Sequence, residues 1–225
     1  MTLLNIKLPA IMNRSFMRLL LIGVFFWIAF VLLARFSLDQ PFFEDDLHLI
    51  RHYTPGELSS TWRGTWDPDH IETPGFRPLT TLFNHWRAAA FGESVVFHRL
   101  FLLGMFAVFL TLMIAFARQI FAIPYRSGVL AGLLAFSHLS STYHYLWISD
   151  GVHLLVAVFL VSMLLCAVHA LKSNRPIWIL PAGLGLTGAL LTREDALIAY
   201  PLIALFSLVY LVRGAVGIRS RAKVL

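Results

Sequence analysis

Three carboxylates stand side by side at Glu44, Asp45 and Asp46. Adjacent carboxylates repel, so at least one needs a cation, a basic neighbour or a raised pKa, which makes the trio a candidate acid–base or metal site. The same residues also read as a solvated acidic cap on a helix N-terminus, where the helix dipole favours acids. If a helix runs on from Glu44, then Glu44, His48 and His52 fall at i, i+4 and i+8, and a carboxylate and two imidazoles share one face. A divalent metal is the one cofactor that face could hold, although HxxxH here lacks the glutamate of a metalloprotease helix. Farther along, Arg193 is followed by Glu194 and Asp195. Its guanidinium either pairs with these acids or, at a membrane boundary, takes a lipid phosphate through a two-pronged hydrogen bond. Cys166 is the sole cysteine and sits in an apolar run, so neither a disulfide framework nor a cysteine zinc site can form.

These residues are few because the chain around them is apolar. Of 225 residues, 58% are hydrophobic and 13% charged, with 19 Phe and 6 Trp, whereas a soluble domain is nearer a quarter charged. This balance excludes a disordered chain and points to lipid as the main solvent. The fold expected is an all-α integral membrane protein, a single membrane domain over residues 1–225. Six spans are expected, at about Phe16–Phe36, Leu100–Ala117, Gly128–Trp147, Val152–Leu171, Ile177–Leu191 and Ala196–Val212. The first reads as an uncleaved anchor rather than a signal peptide, because it is long and ends in bulky residues.

With the N-terminus placed inside, the inner segments hold eleven Lys and Arg and no acid, while the outer segments hold the other seven bases and all twelve acids. One missed span would invert every later loop and destroy this segregation, so both termini are expected in the cytoplasm. The net charge of +6 is thereby topological rather than a nucleic-acid footprint.

Residues 37–97 form a long, partly helical first outer loop, divided by prolines 41, 55, 68, 74 and 78. One short helix is expected after Pro41, through EDDLHLIRHY. A second follows Pro78, with Leu79, Leu82, Phe83 and Trp86 at i, i+3, i+4 and i+7 and Thr80, Asn84 and Arg87 opposite. That second helix suits a position on the membrane surface, or else packs on the loop's own core. The third span ends in SHLSSTYHYLWISD, which places His138, Ser140, Ser141, Thr142 and His144 at membrane depth facing a cavity, or in an interfacial aromatic loop. Gly183, Gly185 and Gly188 spell GxGxxG, but inside an apolar span with no preceding strand, and Gly128 and Gly132 form GxxxG; both read as helix-packing signals.

FFEDD after the first span, GFRPL in the outer loop, FHRLFLL opening the second span, AFSHLSSTYHYLWISDGVHLLVAVF and LLTREDALIAYPL occur in that order. Together they resemble the membrane part of type C glycosyltransferases that use polyprenyl-phosphate sugars, closest to the protein O-mannosyltransferase group that carries tetratricopeptide repeats. Where that group usually has proline, asparagine and lysine, this chain has Leu139, Phe101 and Arg193. The resemblance implies the N-terminal part of a longer protein, in a bacterial inner membrane or, in a eukaryote, the endoplasmic reticulum. It implies inverting transfer of a sugar from a lipid phosphate to a hydroxyl of a protein or glycan acceptor on the outer face. Asp45 or Asp46 would be the catalytic base, while Arg77, His138 and Arg193 would bind the lipid phosphate and Glu44, His98 and Glu194 would support them. Two other classes stay open: a non-catalytic multi-span protein such as a transporter half or assembly subunit, and a membrane enzyme using a metal at His48 and His52.

Overall fold

A computed structural model describes residues 14–65, 75–138, 146–173 and 175–204. Among the described residues the chain is all-helical, with no strand, and three helices are long and apolar enough to cross a membrane: Arg14–Ser37, Val95–Phe121 and Ile148–Ser173. The α-helices are α1 (Arg14–Ala34), α2 (Glu44–Leu49), α3 (Pro55–Ser60), α4 (Pro78–Phe91), α5 (Val95–Phe121), α6 (Tyr125–Ser137), α7 (Gly151–Ser173) and α8 (Ile179–Thr192). The chain divides into two compact units, one comprising Met1–Arg51 with Arg87–Leu154 and the other His52–Trp86 with Leu155–Leu225.

In the first unit, α1 and α5 lie against each other along their lengths. The Trp27 indole donates to the Leu100 carbonyl at 3.0 Å, and a Cβ placed on Gly23 would sit 3.3 Å from the Thr111 hydroxyl oxygen. Residues later in α1 thus meet residues earlier in α5, so the pair is antiparallel. Its core is aromatic: Phe30 stacks on Phe26 at 5.3 Å and on Phe136 of α6 at 4.0 Å, with Phe106 at 5.7 Å. Lipid tails are as apolar as these rings, so close packing rather than exclusion from water holds the helices together. Gly128 and Gly132 permit it, for a Cβ at Gly132 would lie 2.4 Å from the Phe26 ring and one at Gly128 2.9 Å from Ile114.

The helix ends follow from local chemistry. Ser94 caps α5, and Ala122 closes it in the left-handed region with φ of 55° before Pro124 prevents continuation. The expected span at Gly128–Trp147 is shorter as a described helix: α6 has 13 residues, about 20 Å of rise against a hydrocarbon core of about 30 Å. It stops where polar side chains begin, with the Ser137 hydroxyl turned back onto the Leu134 carbonyl. Residues 139–145, with Ser140, Ser141, Thr142 and His144, lie outside the described residues.

In the second unit α7 packs on α8 through the glycine pattern. A Cβ on Gly188 would lie 2.9 Å from the Phe159 ring and one on Gly185 3.0 Å from the Phe159 carbonyl, while Gly183 faces open space. The GxGxxG sequence is therefore a helix-packing surface. The stretch expected as a fifth span is the shorter apolar segment Pro176–Thr192; a 3-10 turn at Glu194–Ile198 opens the stretch expected as a sixth, and residues 205–225 lie outside the described residues.

The outer loop holds a helix the hydrophobic spacing did not disclose. Thr54-Pro55-Gly56-Glu57 is a capping box: the Thr54 hydroxyl accepts from the Glu57 N–H at 3.2 Å and the Glu57 carboxylate from the Thr54 N–H at 2.6 Å, which starts α3. Helix α4 is inverted relative to a soluble helix. Thr80, Thr81, Asn84 and Arg87 are buried, whereas Leu82 and Trp86 are 43% and 48% exposed. Leu79 and Phe83 of the same apolar set are half-buried, so this face is divided between contact and exposure among the described residues.

Candidate functional site

Two polar assemblies stand out, one in each unit. The first is built on Asp46. Helix α2 begins at Glu44 because the Asp46 carboxylate, in its first turn, takes the Phe43 backbone N–H at 3.0 Å. The same carboxylate accepts from the N–H groups of Ser149 at 2.5 Å and Ile148 at 3.4 Å, and it is fully buried. Arg87, fully buried in the last turns of α4, donates to the Ile148 carbonyl at 3.0 Å. Burial pushes the Arg87 guanidinium down to about 9, partly offset by the negative charge of Asp46. Arg99 fans out to four carbonyls: Leu38 at 2.9 Å, Pro41 at 3.1 Å, Leu146 at 3.3 Å, and Gln40. One carboxylate and two guanidiniums thus hold segments 38–46 and 146–149 by their backbones, as buried charges must be held if they are to be tolerated.

His98 belongs to the same assembly. Its Nε2 lies 3.0 Å from the Gly92 carbonyl, and its ring meets Phe42 and Phe91 edge-on. Asp45, adjacent to Asp46, is exposed. The side chain of Glu44 lies outside the described residues, though its backbone opens α2.

The second assembly is an ion-pair cluster. Arg77 grips Glu194 across 117 residues of sequence, Nε to Oε2 at 2.6 Å and Nη2 to Oε1. These hydrogen bonds, with the charges of Arg77 and Arg193 behind them, hold the Glu194 carboxyl at about 2 against the opposing effect of partial burial. Arg193 pairs with Asp195 at 3.0 Å. The Thr80 hydroxyl donates to the Thr192 carbonyl at 2.6 Å, tying α4 to the end of α8. One turn beyond Thr80 on the same face, the Asn84 amide is fully buried with no hydrogen-bond partner among the described residues.

Of the residues expected from sequence, the structure brings Arg77, Arg193 and Glu194 together, and it sets Asp45, Asp46 and His98 around α2 and the start of α5. The two sets fall in different units. His138 is exposed at the end of α6, where its backbone N–H donates to Ala135. The shared face expected for Glu44, His48 and His52 is corrected: α2 ends at Leu49, so His52 is not on that helix and instead meets His85 edge-on at 5.9 Å. Among the described residues no group of three or more His, Cys, Asp and Glu is placed to hold a metal ion.

Sequence reasoning missed the clamps Arg87 and Arg99. The signal for Arg99 was present, a charged side chain a few residues into a 27-residue apolar helix, where only a tightly bonded guanidinium is tolerated. No family model, curated protein or solved structure matches the chain.

Proposed function

We propose that the chain is the membrane module of a glycosyltransferase that moves a sugar from a polyprenyl-phosphate donor to a hydroxyl acceptor, with six spans, both termini cytoplasmic and the first loop outside. The observation that carries this reading is the division of labour within the acidic trio. Asp46 is consumed in fixing α2 and segment 146–149, which leaves Asp45 exposed on a helix that cannot drift. A positioned, solvent-facing carboxylate just beyond the end of a membrane-crossing helix is what an acceptor hydroxyl needs as general base. Arg77 and Arg193 would receive the donor phosphate and stabilise its departing charge, with Glu194 and Asp195 holding them until the phosphate takes over. His138 would act on the donor as the motif likeness implies. The segregation of acids to one set of loops supports the topology, and the five motif likenesses support the family.

The ion-pair cluster also favours a second reading. Arg77 and Arg193 are neutralised by carboxylates already at hand, as in a structural staple, and a non-catalytic multi-span protein would need no more.

The discriminating experiment supplies the protein in proteoliposomes with radiolabelled polyprenyl-phosphate sugars and a hydroxyl-bearing acceptor. Label transfer that falls by about 10²-fold or more in Asp45→Asn, with folding intact, supports the transferase. Binding of no donor, and no transfer from any, supports the non-catalytic reading.

A further inference from the structure

At one end of the first unit, the start of α1, the last turn of α5 and the first turn of α6 converge on one aromatic ring. The Arg118 guanidinium carbon lies 3.6 Å from the Tyr125 ring centroid, and that of Arg18 lies 6.0 Å from the same centroid. Arg118 is fixed there by a 2.5 Å hydrogen bond from Nη1 to the Ile123 carbonyl. Arg18 and Arg126 are exposed and Tyr125 is half-buried.

Among the described residues no acid answers these charges. The sequence has no Asp or Glu from residue 1 to 38 or from 94 to 149, and among the described residues Arg18, Arg118 and Arg126 form no ion pair. A ring face attracts a guanidinium but carries no net charge. Two like charges gathered on one ring therefore call for an anion. Arg18 lies in the second turn of one membrane-crossing helix and Arg118 in the last turn of another, which puts both at the depth where lipid headgroups begin.

We infer that Arg18, Arg118 and Tyr125 form a binding site for the phosphodiester of an anionic phospholipid, with Arg126 at its edge. The guanidiniums grip phosphate oxygens with charge-assisted hydrogen bonds, and the Tyr125 ring presents them side by side. The site serves to fix the α1–α5–α6 packing at that membrane face. Its argument rests on α1, α5 and α6 alone and stands or falls apart from the transferase reading.

The test is native mass spectrometry of the full chain equilibrated with equal phosphatidylglycerol and phosphatidylcholine. A basic side chain near an anionic surface contributes about fivefold in affinity, so the preference for phosphatidylglycerol is expected to fall about fivefold in Arg18→Gln or Arg118→Gln and ~30-fold in the double variant. Arg35→Gln, at the other end of α1, should leave it unchanged. A double lysine variant, which keeps the charge, should regain part of it even if the glutamine variant folds poorly. An unchanged preference in a folded double variant overturns the site. Displacement of the lipid by millimolar inorganic phosphate would mean that free phosphate is the ligand and overturns the lipid assignment.

Discussion

Replacing Asp46 by Asn should unfold the outer loop locally, and the size of the effect can be worked from the hydrogen bonds. The carboxylate accepts three backbone N–H groups, from Phe43, Ile148 and Ser149. An amide of the same shape offers one oxygen and turns an NH₂ toward at least one of those donors. A buried donor left unmet costs about 1–3 kcal/mol. Removing the buried Asp46 charge also takes from Arg87 and Arg99 a negative charge that favours them, and breaking a buried charge pair costs about 3–5 kcal/mol on its own. The two terms overlap, so the loss expected is about 3–5 kcal/mol rather than their sum. Hydrogen exchange in detergent or nanodiscs reads it directly: amide protection at Ile148 and Ser149 should fall by at least about 10²-fold. Asp45→Asn, one residue away but exposed, should change stability by less than about 0.5 kcal/mol. If Asp46→Asn leaves the protection of Ile148 and Ser149 as it was, the clamp has been misread and Asp46 returns as a candidate base.

Gly132→Ala should lower thermal stability in detergent by about 1–3 kcal/mol, because its new methyl would collide with the buried Phe26 ring. In contrast, Gly183→Ala points into open space and should be neutral or gain up to ~1 kcal/mol from helix propensity. Helix α4 should lie in the membrane interface on its Leu82–Trp86 side; spin labels at those two positions should favour oxygen over a water-soluble nickel reagent, and equal access for the nickel reagent would mean the face is covered by something else. The Arg77–Glu194 pair should show an acid limb. The Glu194 carboxyl is held at about 2 instead of 4.5 when folded, so its contribution is full above about pH 4.5 and is lost as pH falls through about 2. The stability advantage of the native protein over Glu194→Gln should close across that window, and an advantage independent of pH would assign it to packing.

The long apolar helices were legible in their unbroken hydropathy, and Pro78 with the spacing Leu79, Leu82, Phe83 and Trp86 gave the start of α4. Two things resisted reading. The hydrophobic period says nothing about a six-residue helix such as α2 or α3, whose extent depends on caps; the helix expected through Tyr53 ends at Leu49, which separates His48 from His52. Sequence also places Asp45 and Asp46 as equals. Only the backbone of a segment about 100 residues away distinguishes them, because Ile148 and Ser149 take Asp46 and leave Asp45 exposed. The cluster at Arg193 was found by charge type alone. Its partner Arg77 came from a motif likeness, and the Arg77–Glu194 pairing from neither.

The central claim is that Asp45 acts chemically while Asp46 holds the structure, within a lipid-phosphate-dependent sugar transferase. The most direct measurement is initial-rate transfer of labelled sugar from a polyprenyl-phosphate donor by reconstituted protein, native and Asp45→Asn side by side, each first shown to keep its Ile148 and Ser149 amides protected. The account predicts transfer by the native protein and a drop of about 10²-fold or more in the variant. Undiminished transfer by a folded Asp45→Asn protein would contradict it.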